Sequence, residues 1–153
     1  MIASGLAAEW YAEARRLRER LELATVTDIP TGVLTHSAFE TARSATGYAA
    51  VIEVSLEDID EIADEYGWPC AEAVLSHVAN VICASVREHD PVGKTGEGQF
   101  SVLLGDVELE VAQRICTRLE HNIATTPFSN GHTIIELAAL TRMIPAEQYR
   151  HAA

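Results

Sequence analysis

Residues 87–100 read Arg87-Glu88-His89-Asp90-Pro91-Val92-Gly93-Lys94-Thr95-Gly96-Glu97-Gly98-Gln99-Phe100. A helical apolar pattern leads into this stretch, and the apolar run Ser101-Val102-Leu103-Leu104 leaves it. Pro91 and Gly93 interrupt the helical period, and Gly96 with Gly98 permits a tight turn between two short strands. The stretch therefore predicts a helix end followed by a β-hairpin. Such a hairpin can set backbone N–H groups and carboxylates beside a phosphate.

Upstream, residues 70–87 predict a helix with Val74, Val78, Val81, Ile82 and Val86 inward. Before it, residues 48–54 form an apolar run rich in β-branched residues and predict a buried strand. Ser55 with Asp58 has the spacing of a helix cap, so Ser55 is read as an N-cap. Ile59, Ile62, Ala63 and Tyr66 follow on one helical face, closed by Gly67 and Pro69. Residues 25–35 are a connector holding Pro30 and Gly32, and Thr35 or Ser37 caps a short helix through Phe39 to Ala42. Downstream, residues 108–123 predict a helix with Val111, Ile115, Leu119 and Ile123 inward. Residues 125–131 read as a loop and 133–141 as a last strand. The order β-α-α-β-β-α-β predicts an α+β fold, a mostly antiparallel sheet with helices on one face.

Residues 3–24 predict an N-terminal helix, with Ala3, Ala7, Trp10, Ala14, Leu17, Leu21 and Ala24 at heptad spacing. Arginines and glutamates alternate on its other faces within helical reach of each other. Two readings stay open: a coiled-coil stalk pairing two subunits into a homodimer, or one amphipathic helix packed on its own domain. The domain division is thus 1–26 for the helix and 27–153 for the body.

Composition bounds the function. Hydrophobic residues make up 48% of the 153, enough for a packed core. The net charge of −12, from 23 acids and 11 bases, offers no basic stripe for nucleic acid. No apolar run has membrane-spanning length and no signal peptide is read, so a cytoplasmic location is expected. Cys70, Cys83 and Cys116 lack any C-x-x-C spacing and read as reduced thiols. His36, His77, His121 and His132 have no mutual spacing that suggests a metal site. No metal and no cofactor are expected.

These elements and their punctuation resemble the GGDEF domain of bacterial diguanylate cyclases. Four stretches from about Asp28 to Ala139 carry the resemblance. Asp28-Ile29-Pro30-Thr31-Gly32-Val33 is similar to the family's D-x-L-T-G-L, with Phe39 at the later aromatic. The segment from Val54 through Asp60 to Gly67 resembles its D-x-D-x-F-K…N-D-x-Y-G. Gly96-Glu97-Gly98-Gln99-Phe100 stands where G-G-D/E-E-F belongs. Arg87-Glu88-His89-Asp90 stands where many members carry R-x-x-D. The resemblance implies a palm-like, ferredoxin-related fold. The family's final helix and strand find no counterpart in the sequence after Met143.

It also implies that the cyclase chemistry is missing. Joining two GTP molecules needs divalent metal held by carboxylates. The family's two metal positions hold Ser55 and Gly98 here, and the fourth hairpin position holds Gln99. Its guanine-reading Asn falls on Ala63, its guanine-reading Asp on Glu72 and its phosphate-binding Lys on Asp60. A carboxylate beside a triphosphate repels it. Trp68 is expected to plug part of the old nucleotide pocket. The resemblance further implies a product site for cyclic di-GMP at Arg87 and Asp90. There a carboxylate can accept from the guanine edge and a guanidinium can pair with O6 and N7 or with phosphate. Arg114 and Arg118 are candidates for a second arginine. The alternative is that Arg87 and Asp90 pair with each other and bind nothing. The resulting expectation is an inactive GGDEF-like receptor for cyclic di-GMP that signals through a protein partner. Its rival is a ligand-free dimerisation or interaction scaffold.

Overall fold

The computed structural model describes residues 12–14, 26–45 and 47–152. Residues 12–14 are helical; the rest of the predicted N-terminal helix lies outside the described residues. The body runs α1 (His36–Ala45), β1 (Ala50–Leu56), α2 (Ile59–Tyr66), α3 (Trp68–Ser85), β2 (Val92–Gly96) and β3 (Gln99–Leu104). It continues with α4 (Leu109–Ala124), β4 (Phe128–Ser129), β5 (Ile134–Ile135), β6 (Ala139–Pro145) and α5 (Ala146–Ala152). The four-stranded sheet has the order β2-β3-β1-β6, and every neighbouring pair is antiparallel.

β1 is paired along both edges by β3 and β6 and packed by helices on both faces, and Ala50, Val51, Ile52, Val54 and Leu56 are all buried. This explains a continuous apolar run where a half-exposed strand would alternate. Ile52, Val54, Phe100, Val102 and Leu104 point to one face. There they meet Ile59, Ile62 and Ala63 of α2 and the apolar stripe Val74, Val78 and Ile82 of α3. Ala112, Ile115, Leu119 and Ile123 of α4 complete that core at helical spacing.

Helices cover both faces, where the sequence predicts one. Val51 and Leu103, paired across β1 and β3, point the other way and pack with Phe39 of α1 and Tyr149 of α5. Phe39 presses onto the backbone of Gly93, where a Cβ would lie 2.7 Å from its own. Gly93 is thus required by α1, not by a turn. Arg43 pairs with Glu40 at 2.7 Å and stands 5.2 Å from the centre of the Tyr149 ring, joining α1 to α5.

Other expectations shift locally. Ser55 is not an N-cap. It lies inside β1, opposite Gln99 and Leu140, and Asp58 precedes α2 without a side-chain cap bond. Strand pairing on both sides holds β1 extended through Leu56, past the point where a cap would begin. Thr35 does cap α1, its Oγ1 accepting the Ala38 N–H at 3.2 Å. Tyr66 is 41% exposed, so the inward stripe of α2 stops at Ala63. Gly67, at φ 91°, donates to Ala63 O at 2.8 Å and ends α2, while Pro69 falls in the first turn of α3. The single predicted strand over 133–141 divides into β5 and β6, and β4 occupies part of the predicted loop. β6 then continues to Pro145 and α5 follows, in a stretch where the sequence predicts no element.

Candidate functional site

Two regions of residues 87–100 carry the candidate chemistry. The first is the hairpin tip. β2 and β3 pair Lys94 with Phe100 and Gly96 with Gln99, so Thr95 bulges out of register. Thr95 Oγ1 shares a 2.8 Å hydrogen bond with Ser101 Oγ, and Gln99 Nε2 donates to Thr95 Oγ1 at 3.4 Å. Gly98 is buried at φ 68°, and its carbonyl accepts from Leu56 N–H at 2.8 Å. A Cβ on Gly98 would lie 2.9 Å from Ile59 Cγ2 and 3.1 Å from Leu56 O. The hairpin tip is therefore clamped onto the end of β1 and the start of α2, with no room for a side chain at this position.

The residues matched to the cyclase site lie around this tip in different environments. Ser55 and Gln99 face each other across β1 and β3. Phe100 is wholly buried in the core, and Ala63 is buried in α2. Asp60 is exposed on the first turn of α2. Glu72, Gly96 and Glu97 border an open cleft of about 450 Å³, with His36, Trp68 and Lys94. Trp68 does not plug this cleft. It stands 50% exposed on the wall, because the Gly67 turn sets it at the first helical position of α3 with one face to solvent. Among the described residues, no group of three or more His, Cys, Asp or Glu is arranged to hold a metal ion.

The second region is the turn after α3. Asp90 N–H donates to Arg87 O at 3.0 Å, closing the turn. The Asp90 carboxylate is buried and accepts three bonds from Arg87. They come from the backbone N–H at 3.1 Å, Nε at 3.0 Å and Nη2 at 2.9 Å. Arg87 Nη2 also donates to Gly105 O at 2.9 Å. The hydrogen bonds to Asp90, reinforced by the charges of Asp90 and Asp106, push the guanidinium pKa up. The two residues thus pair with each other, and Asp90 acts as a staple for Arg87.

Arg87 nevertheless stays 40% exposed, and its Nη1 takes part in none of these bonds. It borders a cavity of about 330 Å³ together with Tyr48, His89, Leu103 and Asp106. Tyr48 OH is buried beside it. Tyr48, Gly105 and Asp106 escape sequence reasoning because they reach Arg87 through the β1–β3 pairing. Asp106, at φ 50°, left only the ordinary signal of a Gly-Asp turn. Arg118 is occupied elsewhere, donating to Ser85 O at 2.7 Å at the end of α3. Arg114 is exposed on α4.

The remaining family motif is structural. Asp28 accepts from the Thr31 backbone N–H at 3.2 Å and Oγ1 at 2.5 Å, while Gly32 at φ 77° donates to Asp28 O at 2.7 Å. Ser76 Oγ ties this turn to α3 through Pro30 O. His77 makes one hydrogen bond, from Nε2 to Thr126 O at 2.7 Å.

An antiparallel palm backed by helices, with a glycine-pinched hairpin and an Arg-Asp turn feeding it, defines a palm domain of the α+β class. The chain belongs to the GGDEF domain family. The family model for "Diguanylate cyclase, GGDEF domain" matches residues 32–141. The probable diguanylate cyclase DgcT of Escherichia coli K12 is 31% identical over 86 residues, covering 54% of this chain and 19% of that protein. The fold resembles that of diguanylate cyclase SiaD from Pseudomonas aeruginosa, solved in complex with its activator SiaC. That likeness has a TM-score of 0.68 at 21% identity, over 92% of this chain and 57% of the other. It also resembles the coiled coil and GGDEF domain of DgcB from Caulobacter crescentus in complex with c-di-GMP. Here the TM-score is 0.68 at 16% identity, over 94% of this chain and 82% of the other. Among the described residues, no helix is long and apolar enough to cross a membrane.

Proposed function

We propose that this domain is a non-catalytic GGDEF module that binds cyclic di-GMP beside Arg87 and passes the signal on by contact with a protein partner. The observation that carries this reading is the Arg87 guanidinium, held by Asp90 and Gly105 O at the edge of a cavity, with Nη1 outside those bonds. A planar cation fixed in this way loses little freedom when it pairs with guanine O6 and N7 or with a phosphate. Asp90 then positions Arg87 and does not itself read the base. The loss of catalysis rests on Ser55 and Gly98 at the two metal positions, since uncharged groups there supply no carboxylate for a divalent cation. The likeness to a GGDEF domain solved with c-di-GMP and to another solved with a protein activator supports both halves of the reading. A cytoplasmic location and a homodimer through the N-terminal helix belong to the same proposal. Sedimentation at rising concentration tests the dimer, and a strict monomer removes it.

Calorimetric titration with cyclic di-GMP tests the ligand. Saturable heat that Arg87→Ala abolishes supports the reading; no heat, or equal binding by that variant, overturns it. One observation favours a second reading, a ligand-free interaction scaffold. Asp90 already answers the charge of Arg87, and Glu88 and Asp106 add like charges that a dianion must approach. The absence of heat in the same titration favours this scaffold.

A further inference from the structure

The cleft beside the hairpin tip no longer suits an anion, and its surviving groups match a different charge. Trp68 and Glu72 are four residues apart on α3, so the indole and the carboxylate share one helical face a turn apart. Leu75, almost wholly buried, lies a further turn along and borders the same cleft. Glu97 lines it from the exposed hairpin tip. Lys94 and His36 also border the cleft, so the lining carries two carboxylates against one lysine ammonium. Gly67 alone separates this wall from α2, on which Asp60, Glu61, Asp64 and Glu65 are all exposed. A large half-exposed indole on a cleft wall is a recurrent anchor for a partner. An indole face beside a carboxylate, within an acidic surround, is complementary to a guanidinium. The planar cation stacks on the ring while its N–H fork pairs with the carboxylate. A lysine ammonium offers the charge without the plane.

We infer that this cleft docks an arginine-rich segment of a protein partner, with one arginine stacked on Trp68 and paired with Glu72, and Glu97 facing it from the hairpin. This deepens the protein-contact half of the proposed function and is independent of the Arg87 cavity. Fluorescence anisotropy of a labelled nona-arginine peptide, titrated with the full chain, tests it against a nona-lysine peptide. The arginine peptide is expected to bind saturably and more tightly than the lysine peptide by about tenfold. Trp68→Ala and Glu72→Gln each weaken it by about fivefold to tenfold, and Trp68→Phe keeps most of the affinity. Equal binding of the two peptides, or affinity untouched by Trp68→Ala and Glu72→Gln, reduces the effect to diffuse acidic attraction and overturns the inference. Replacing Arg15, Arg16, Arg18 and Arg20 by alanine is expected to leave binding unchanged. Binding seen only in that variant assigns the cleft to the chain's own arginines and overturns the partner.

Discussion

The Arg87–Asp90 turn and the Gly96–Gln99 tip stand at opposite ends of the same β-strand, and they differ in which part of a site survives. At the tip the backbone is kept and the third and fourth hairpin positions carry no charge: Gly98 is pinned between Ile59 and Leu56, and Gln99 bonds only weakly to Thr95. At the turn both charges are kept, yet they are spent first on each other. Matching a motif residue by residue therefore ranks the turn above the tip without revealing how much of either is free for a ligand. A retained Arg-x-x-Asp is a statement about residue types. Whether Asp90 is a reader or a staple depends on its burial, and in this structure it is buried against Arg87.

The sharpest way to strain this comparison begins at the strand between the two regions. Gly93→Val would drive a side chain into Phe39, and a loss of about 3 kcal/mol is expected in denaturant unfolding. A variant of near wild-type stability would mean that α1 does not hold the hairpin's first strand. Gly98→Glu, which restores a carboxylate at the metal position, is expected to lose about 2 kcal/mol because the new Cβ meets Ile59 and the Leu56 carbonyl at positive φ. It is also expected to form no cyclic di-GMP from GTP with magnesium or manganese. Product formation would break the contrast at its root, since one carboxylate would then suffice to revive the tip.

At the turn, Asp90→Ala removes the acceptor of three Arg87 donors and is expected to cost about 1–2 kcal/mol in the same assay. Under the proposed function it also weakens cyclic di-GMP binding, because Arg87 is no longer held. An unchanged affinity in calorimetry would return Arg87 to the role of a free surface cation. The smallest effects separate two residues of similar chemistry. Thr35→Ala is expected to lose about 1 kcal/mol, as a true helix cap does, whereas Ser55→Ala stays within about 0.5 kcal/mol. Equal losses at the two positions would restore Ser55 as a cap.

Much of the fold was legible in the sequence because its signals are local. Glycine and proline punctuation marks the hairpin and the α2–α3 junction, and the three-and-four spacing of Val74, Val78 and Ile82 marks the buried face of α3. The β-branched run in β1 announced a buried strand. Misreadings occurred where a non-local partner overrode a local rule. Ser55 has cap chemistry and cap spacing, yet pairing with β3 and β6 keeps it extended. Trp68 is large and apolar, yet its place on the first turn of α3 leaves it half in solvent. The second helical layer went unseen because Phe39 and Tyr149 lie at the two ends of the described body, and only folding brings both to Val51 and Leu103.

The sequence by itself determined the order of the central elements, the family, and the absence of carboxylates at Ser55 and Gly98, since these follow from residue identity and short-range periodicity. Only the tertiary structure decided that Gly98 has no space for a side chain, that Asp90 is buried against Arg87, and that Trp68 and Glu72 border an open cleft with Glu97. Space, burial and charge neighbourhood are properties of groups distant in sequence and adjacent in the fold. For that reason residues 87–100 show their chemistry in one dimension and its availability only in three.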